Sequence, residues 1–168
     1  MSASLEILRV NGVAPGVGTV VTDLAAMSAD IPTSTPESRS ANPLQRPGSG
    51  SQFSYEIWFR FRLNAAPSLK VSDIRVWGPA NPPADGVRVW LKTVASANYA
   101  APVVPASSSG FTRQDTNYTS EVAALVIPGE LVEVGDVSDF VVMVIEVDPA
   151  ASTGEMPAFQ LSYSYMEQ

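Results

Sequence analysis

The sequence predicts an all-β fold, an antiparallel β-sandwich of jelly-roll or immunoglobulin-like kind with about eight strands. Three observations predict it. Apolar residues recur with period two in segment after segment. Gly, Pro, Asn, Asp and Ser cluster between those segments. No segment carries a sustained 3.6-residue apolar stripe with helix caps. Unequal strand lengths and long loops favour a sandwich over a closed barrel.

LEILRV (5–10) opens the chain as a short strand. GVAPGVGT (12–19) follows as a glycine-rich turn. It lacks the helix after it and the lysine that a phosphate-binding loop needs, so GTVVTDL (18–24) reads as a second strand. FSYEIWFRFRL (53–63) alternates without a break. Phe53, Tyr55, Ile57, Phe59, Phe61 and Leu63 lie on one face, and Ser54, Glu56, Trp58, Arg60 and Arg62 on the other. VSDIRVW (71–77) and VRVWLKT (87–93) alternate in the same way. EVAALVI (121–127) and LVEV (131–134) are further candidates. DFVVMVIEV (139–147) is apolar on both faces, which predicts a central strand covered on both sides. AFQLSYSY (158–165) is the last strand. GPANPPADG (78–86), PASSSG (105–110), IPGE (127–130) and AASTGE (150–155) supply the turns.

A chain of 168 residues is expected to form a single domain over 1–168, with one segment apart from it. Residues 28–51 are rich in Ser, Pro and Thr and nearly free of large apolar groups, so burial does not offset their ordering entropy. They read as a flexible loop, or as an extended arm that orders on a neighbouring subunit. Pro32, Pro36, Arg39, Pro43, Leu44, Arg46 and Pro47 are the candidate arm contacts.

Composition narrows the chemistry. No cysteine and no histidine are present, which removes disulfides, thiolate and imidazole metal sites, Ser-His-Asp triads and the usual general base near neutral pH. Carboxylate, lysine or tyrosine catalysis stays open, but the expectation is a protein that is not an enzyme and binds no cofactor. GELVEVGDVSD (129–139) spaces its acids three apart without a calcium-loop pattern, and reads as an acidic strand and turn. Glu56 and Glu146 are the pair to weigh for glycoside cleavage. No apolar stretch reaches about 18 residues and no secretory signal is evident, so neither membrane insertion nor export is expected.

The formal net charge of −7 argues against direct nucleic-acid binding. The distribution says more. Arg60, Arg62, Lys70, Arg75, Arg88 and Lys92 face only Asp73 and Asp85 over residues 60–92, while residues 114–168 hold ten acids and no base. Either folding mixes these segments, or a basic patch on one subunit meets an acidic patch on the next.

Trp58, Trp77 and Trp90 each lie opposite their strand's apolar set, with Arg60, Arg75, Arg88 or Lys92 two residues away. In one sheet, Trp58, Arg60, Arg62, Arg75, Trp77, Arg88, Trp90 and Lys92 would form a common basic-aromatic surface. Three uses compete: an internal face closed by loops with arginines flat over indoles, a protein interface, and a platform on which sugars or bases stack. A Greek-key path would split the set between two sheets.

In FSYEIWFRFRL (53–63), VSDIRVWGPANPPADGVRVWLKT (71–93) and AFQLSYSYMEQ (158–168), the chain resembles the small all-β structural proteins of tailed bacteriophage virions. Those proteins run from a strand ending in Val-Trp-Gly through a Pro/Asn loop to a V-x-V-W-L strand, and finish on Ser-Tyr-x-Tyr and an acid. The resemblance covers roughly the last two-thirds of the chain and transfers no site residue. It implies a virion component, a capsid decoration or head-associated protein, placed repeatedly and partnered by its own copies and by capsid protein. A carbohydrate- or host-surface-binding module is the alternative.

Overall fold

The computed structural model describes residues 2–10, 12–16, 18–21, 44–65, 69–154 and 159–168. Among the described residues ten strands are formed in chain order: β1 (Ser4–Val10), β2 (Thr19–Val21), β3 (Gln52–Phe53), β4 (Ile57–Ala65), β5 (Val71–Trp77), β6 (Val87–Val94), β7 (Thr112–Arg113), β8 (Leu125–Ile127), β9 (Phe140–Val147) and β10 (Ser162–Glu167). A larger sheet runs β2-β1-β4-β9-β6-β7 with β3 also on β9, and a smaller one runs β10-β5-β8. Every pairing is antiparallel. The predicted all-β sandwich is what forms, with more and shorter strands than expected.

The core lies between the sheets. Ile57, Phe59, Phe61, Leu63, Val89, Leu91, Val141 and Met143 of the larger sheet meet Val71, Ile74, Val76, Leu125 and Ile127 of the smaller one. β9 is central as its two apolar faces require, with β6 along one edge and β4 and β3 along the other. Its inward residues join this core, and Phe140 and Val142 join a second cluster on the outer face.

Bulges alter the simple alternation at three places. At the start of β1, Ser4 opposes Ala65 but Leu5 opposes Leu63. The stretch predicted as one strand over 53–63 breaks after Phe53 and resumes at Ile57. Phe53 pairs with Glu146 and Ile57 with Met143, so four steps on one strand oppose three on β9. The extra residue reverses the phase, and Phe53 shares the outer face with Glu146 instead of the core face with Ile57. Ser54 holds the bulge. Its N–H donates to the Ile145 carbonyl at 2.8 Å, its Oγ accepts the Ile145 N–H at 2.9 Å, and its hydroxyl donates to the Tyr55 carbonyl. In β5, Ser164 opposes Arg75 but Met166 opposes Ser72, and Asp73 takes φ 51°. That left-handed residue lets Val71 and Ile74 both point inward.

Other boundaries differ from the sequence reading. Only 125–127 of the 121–127 segment is strand, and 131–134 is none. The N–H groups of Val132 and Glu133 donate to Asp136 Oδ2 at 2.7 and 2.8 Å, which folds the chain into a turn. Leu131 alone bridges Val71. The last strand is 162–167, of 158–165 predicted; residues 155–158 lie outside the described ones, as do residues 22–24 of the second. A single helical turn, α1 (Gln114–Asn117), stands where no helix was expected.

Candidate functional site

The path β4-β5-β6 crosses between sheets twice. Trp58 and Trp90 therefore sit on the outer face of the larger sheet with β9 between them, and Trp77 belongs to the smaller sheet. Sequence periodicity gave each indole its face, but not its sheet, so the single surface of three indoles does not form.

The outer face of the larger sheet is closed by the segment after β6. The Val103 carbonyl accepts the Glu56 N–H at 2.9 Å, and the Tyr99 hydroxyl donates to the Gly12 carbonyl at 2.9 Å. Beneath it, Trp58 is only 3% exposed and meets Tyr99 and Phe140 edge-on, with centroids 5.0 and 5.4 Å away. Its indole N–H donates to Glu56 Oε2 at 3.0 Å, while Lys92 Nζ lies 3.1 Å from Glu56 Oε1. Trp90 repeats the device, donating to Glu146 Oε2 at 2.7 Å, with Arg88 3.7 Å from the same carboxylate and 2.8 Å from Asp148. Glu56 and Glu146 are thus each held by an indole and a cation. Two cations lie over phenyl rings: Arg60 is 4.9 Å from the Phe140 centroid and Lys92 4.0 Å from that of Phe111. Burial, then the nearby Arg62, lowers the Arg60 pKa.

Folding mixes the charge segments. Arg62 pairs with Glu6, Lys70 with Glu130 and Arg75 with Asp73. Lys70 and Arg88 take partners from the acid-rich stretch itself. In the acidic run, Glu130 serves Lys70, Asp136 serves its turn and Asp139 accepts the Ser96 N–H. Among the described residues no group of three or more acids is placed to hold a metal ion.

Of the candidate arm, Pro32, Pro36, Arg39 and Pro43 lie outside the described residues. Leu44 packs on this chain's own Val87, Val147 and Ala151 cluster, Arg46 is exposed and Pro47 half-buried.

Trp77 has a different setting. It is half-buried and lines an open cleft of about 470 Å³ between the loop after β5 and the start of β10. Phe159, Asn81, Gln160, Thr119 and Ser162 also line it, together with Gly78, Pro79, Pro82 and Pro83. The wall is anchored from behind by Gln114, which is fully buried and whose amide donates to the carbonyls of Pro79 and Tyr118 at 3.2 and 2.8 Å. A Cβ on Gly78 would lie 2.7 Å from that amide nitrogen, so any larger residue there would have to displace the Gln114 amide. Nothing in the sequence around Gln114 signals this role, because one of its two partners, the Pro79 carbonyl, comes from a loop 35 residues away.

Comparison with protein-family models, curated proteins and solved structures finds no match, so no residue role transfers from another protein.

Proposed function

We propose that this chain is a non-enzymatic structural subunit of a tailed-phage virion, a capsid decoration or head-associated protein that acts by associating with its own copies and with capsid protein. The virion assignment rests on the sequence resemblance. The observation that carries association is an apolar segment at the edge of the smaller sheet. From 122 to 134, around edge strand β8, Val122, Val126, Val132 and Val134 are 92, 49, 51 and 62% exposed. Exposed apolar side chains beside an open strand edge favour pairing with another chain.

Local pairing of the cations gives this association a different character from basic-to-acidic docking. The contact is largely apolar and backbone-mediated, so it withstands salt. The non-enzymatic part is supported by a sequence without histidine or cysteine, and by Glu56 and Glu146 being bound up in structural contacts. Light scattering behind size exclusion tests association: an oligomer that persists from about 50 mM to about 1 M salt is expected, where exposed charge contacts are screened. Mass spectrometry of particles purified from the culture carrying the gene tests location. Absence of the chain from those particles would reject the virion assignment.

A further inference from the structure

We propose that the cleft beside Trp77 is a binding site for a neutral saccharide, an inference independent of the virion assignment. At about 470 Å³ the cleft lies within the range of small-molecule sites. Among the described residues no charged side chain lines it. Its polar side chains are two amides, Asn81 and Gln160, and two hydroxyls, Thr119 and Ser162, and none of the four makes a hydrogen bond among the described residues. Amides and hydroxyls both donate and accept, which suits a ligand carrying many hydroxyls. Trp77 and Phe159 supply aromatic surface against which the C–H face of a pyranose packs. The Trp77 indole N–H also has no partner among the described residues. The three prolines limit the backbone freedom of the lining, so little ordering is needed on binding. A phosphate or nucleotide would need a cation here, and Arg75, two residues before Trp77, is taken by Asp73 at 2.8 Å.

The test is a titration of the full chain, by array and then calorimetry, with neutral tri- and tetrasaccharides of glucose, galactose and N-acetylglucosamine in both linkages. At least one is expected to bind, with affinity unchanged between about 50 mM and about 1 M salt, because no charge contributes. Trp77→Ala is expected to weaken it about tenfold or more, a loss of about 1.4 kcal/mol. The Asn81→Ala/Gln160→Ala double variant, at two exposed positions, gives a second readout should Trp77→Ala fail to fold. Silence of every saccharide overturns the proposal. So does binding that neither variant weakens. A synthetic peptide of residues 31–47 that binds where no saccharide does would also overturn it, and would assign the cleft to a proline-rich strand instead.

Discussion

Replacing Trp58 by alanine separates an internal indole from an interface indole. The ring is 3% exposed and edge-packed on Tyr99 and Phe140. Truncating a buried tryptophan costs about 3–5 kcal/mol through lost transfer energy and the cavity left behind. Each edge-to-face pair is worth about 0.5–1.5 kcal/mol beyond area, which places Trp58→Ala toward the upper half of that range. Glu56 Oε2 also loses its 3.0 Å donor, although Lys92 still faces the other oxygen at 3.1 Å. With a urea slope of about 2 kcal/mol per molar, a loss of about 4 kcal/mol moves the midpoint down by about 2 M. Trp58→Phe keeps a ring but drops the donor, and is expected to lose about 1–3 kcal/mol. Trp77→Ala, at a half-buried ring on an open cleft, is expected to lose less than about 2 kcal/mol. The assay is urea unfolding followed by far-ultraviolet circular dichroism, with the midpoint read from the cooperative transition and not from the signal amplitude, which the loss of an indole also changes. A Trp58→Ala midpoint within about 0.5 M of the parent, together with weaker association, would refute the internal assignment.

Gly86→Ala is expected to prevent stable folding or to lower the melting temperature strongly, since Gly86 has φ 69° and a Cβ there would sit 2.2 Å from the Ala151 nitrogen. Expression and a thermal scan check it. Asp136 has its pKa lowered by the Glu133 N–H first and the Val132 N–H second. Its contribution is therefore complete above the unfolded value of about 3.9 and fades as pH falls through the lower folded value. Acid unfolding below about pH 4 should be shallower in Asp136→Ala than in the parent, and equal slopes would count against the turn's role. Val126→Lys, on the outer face of β8, should leave the melting temperature within a few degrees and shift the light-scattering mass toward monomer; an unchanged oligomer would move the interface elsewhere. Deleting 31–42, which spares the packed Leu44, should reduce assembly without loss of fold if the proline-rich segment is an arm.

Much of the fold was legible because period-two patterning is a local property. VSDIRVW matches β5 residue for residue, and the doubly apolar 139–147 segment declared its central place. The bulges were not legible. An unbroken alternation at 53–63 carries no mark of an extra residue, which becomes defined only when β9 supplies the partner and Ser54 the substitute hydrogen bonds. The candidate surface failed to appear as one for a similar reason. Trp58, Trp77 and Trp90 have the same local signature, yet one is buried, one lines a cleft and one is tied to a carboxylate on the neighbouring strand.

Sequence by itself determined the class of fold, the central strand, the facing of each tryptophan on its strand and the removal of imidazole and thiol chemistry. These follow from side-chain identity and from the strand period, which act over neighbouring residues. Only the tertiary structure decided which sheet each strand joins, which cations find acids and where a cavity opens. Those depend on contacts between residues far apart in sequence, such as Trp90 with Glu146 or Gln114 with Pro79, whose partners are set by how the strands cross between the two sheets.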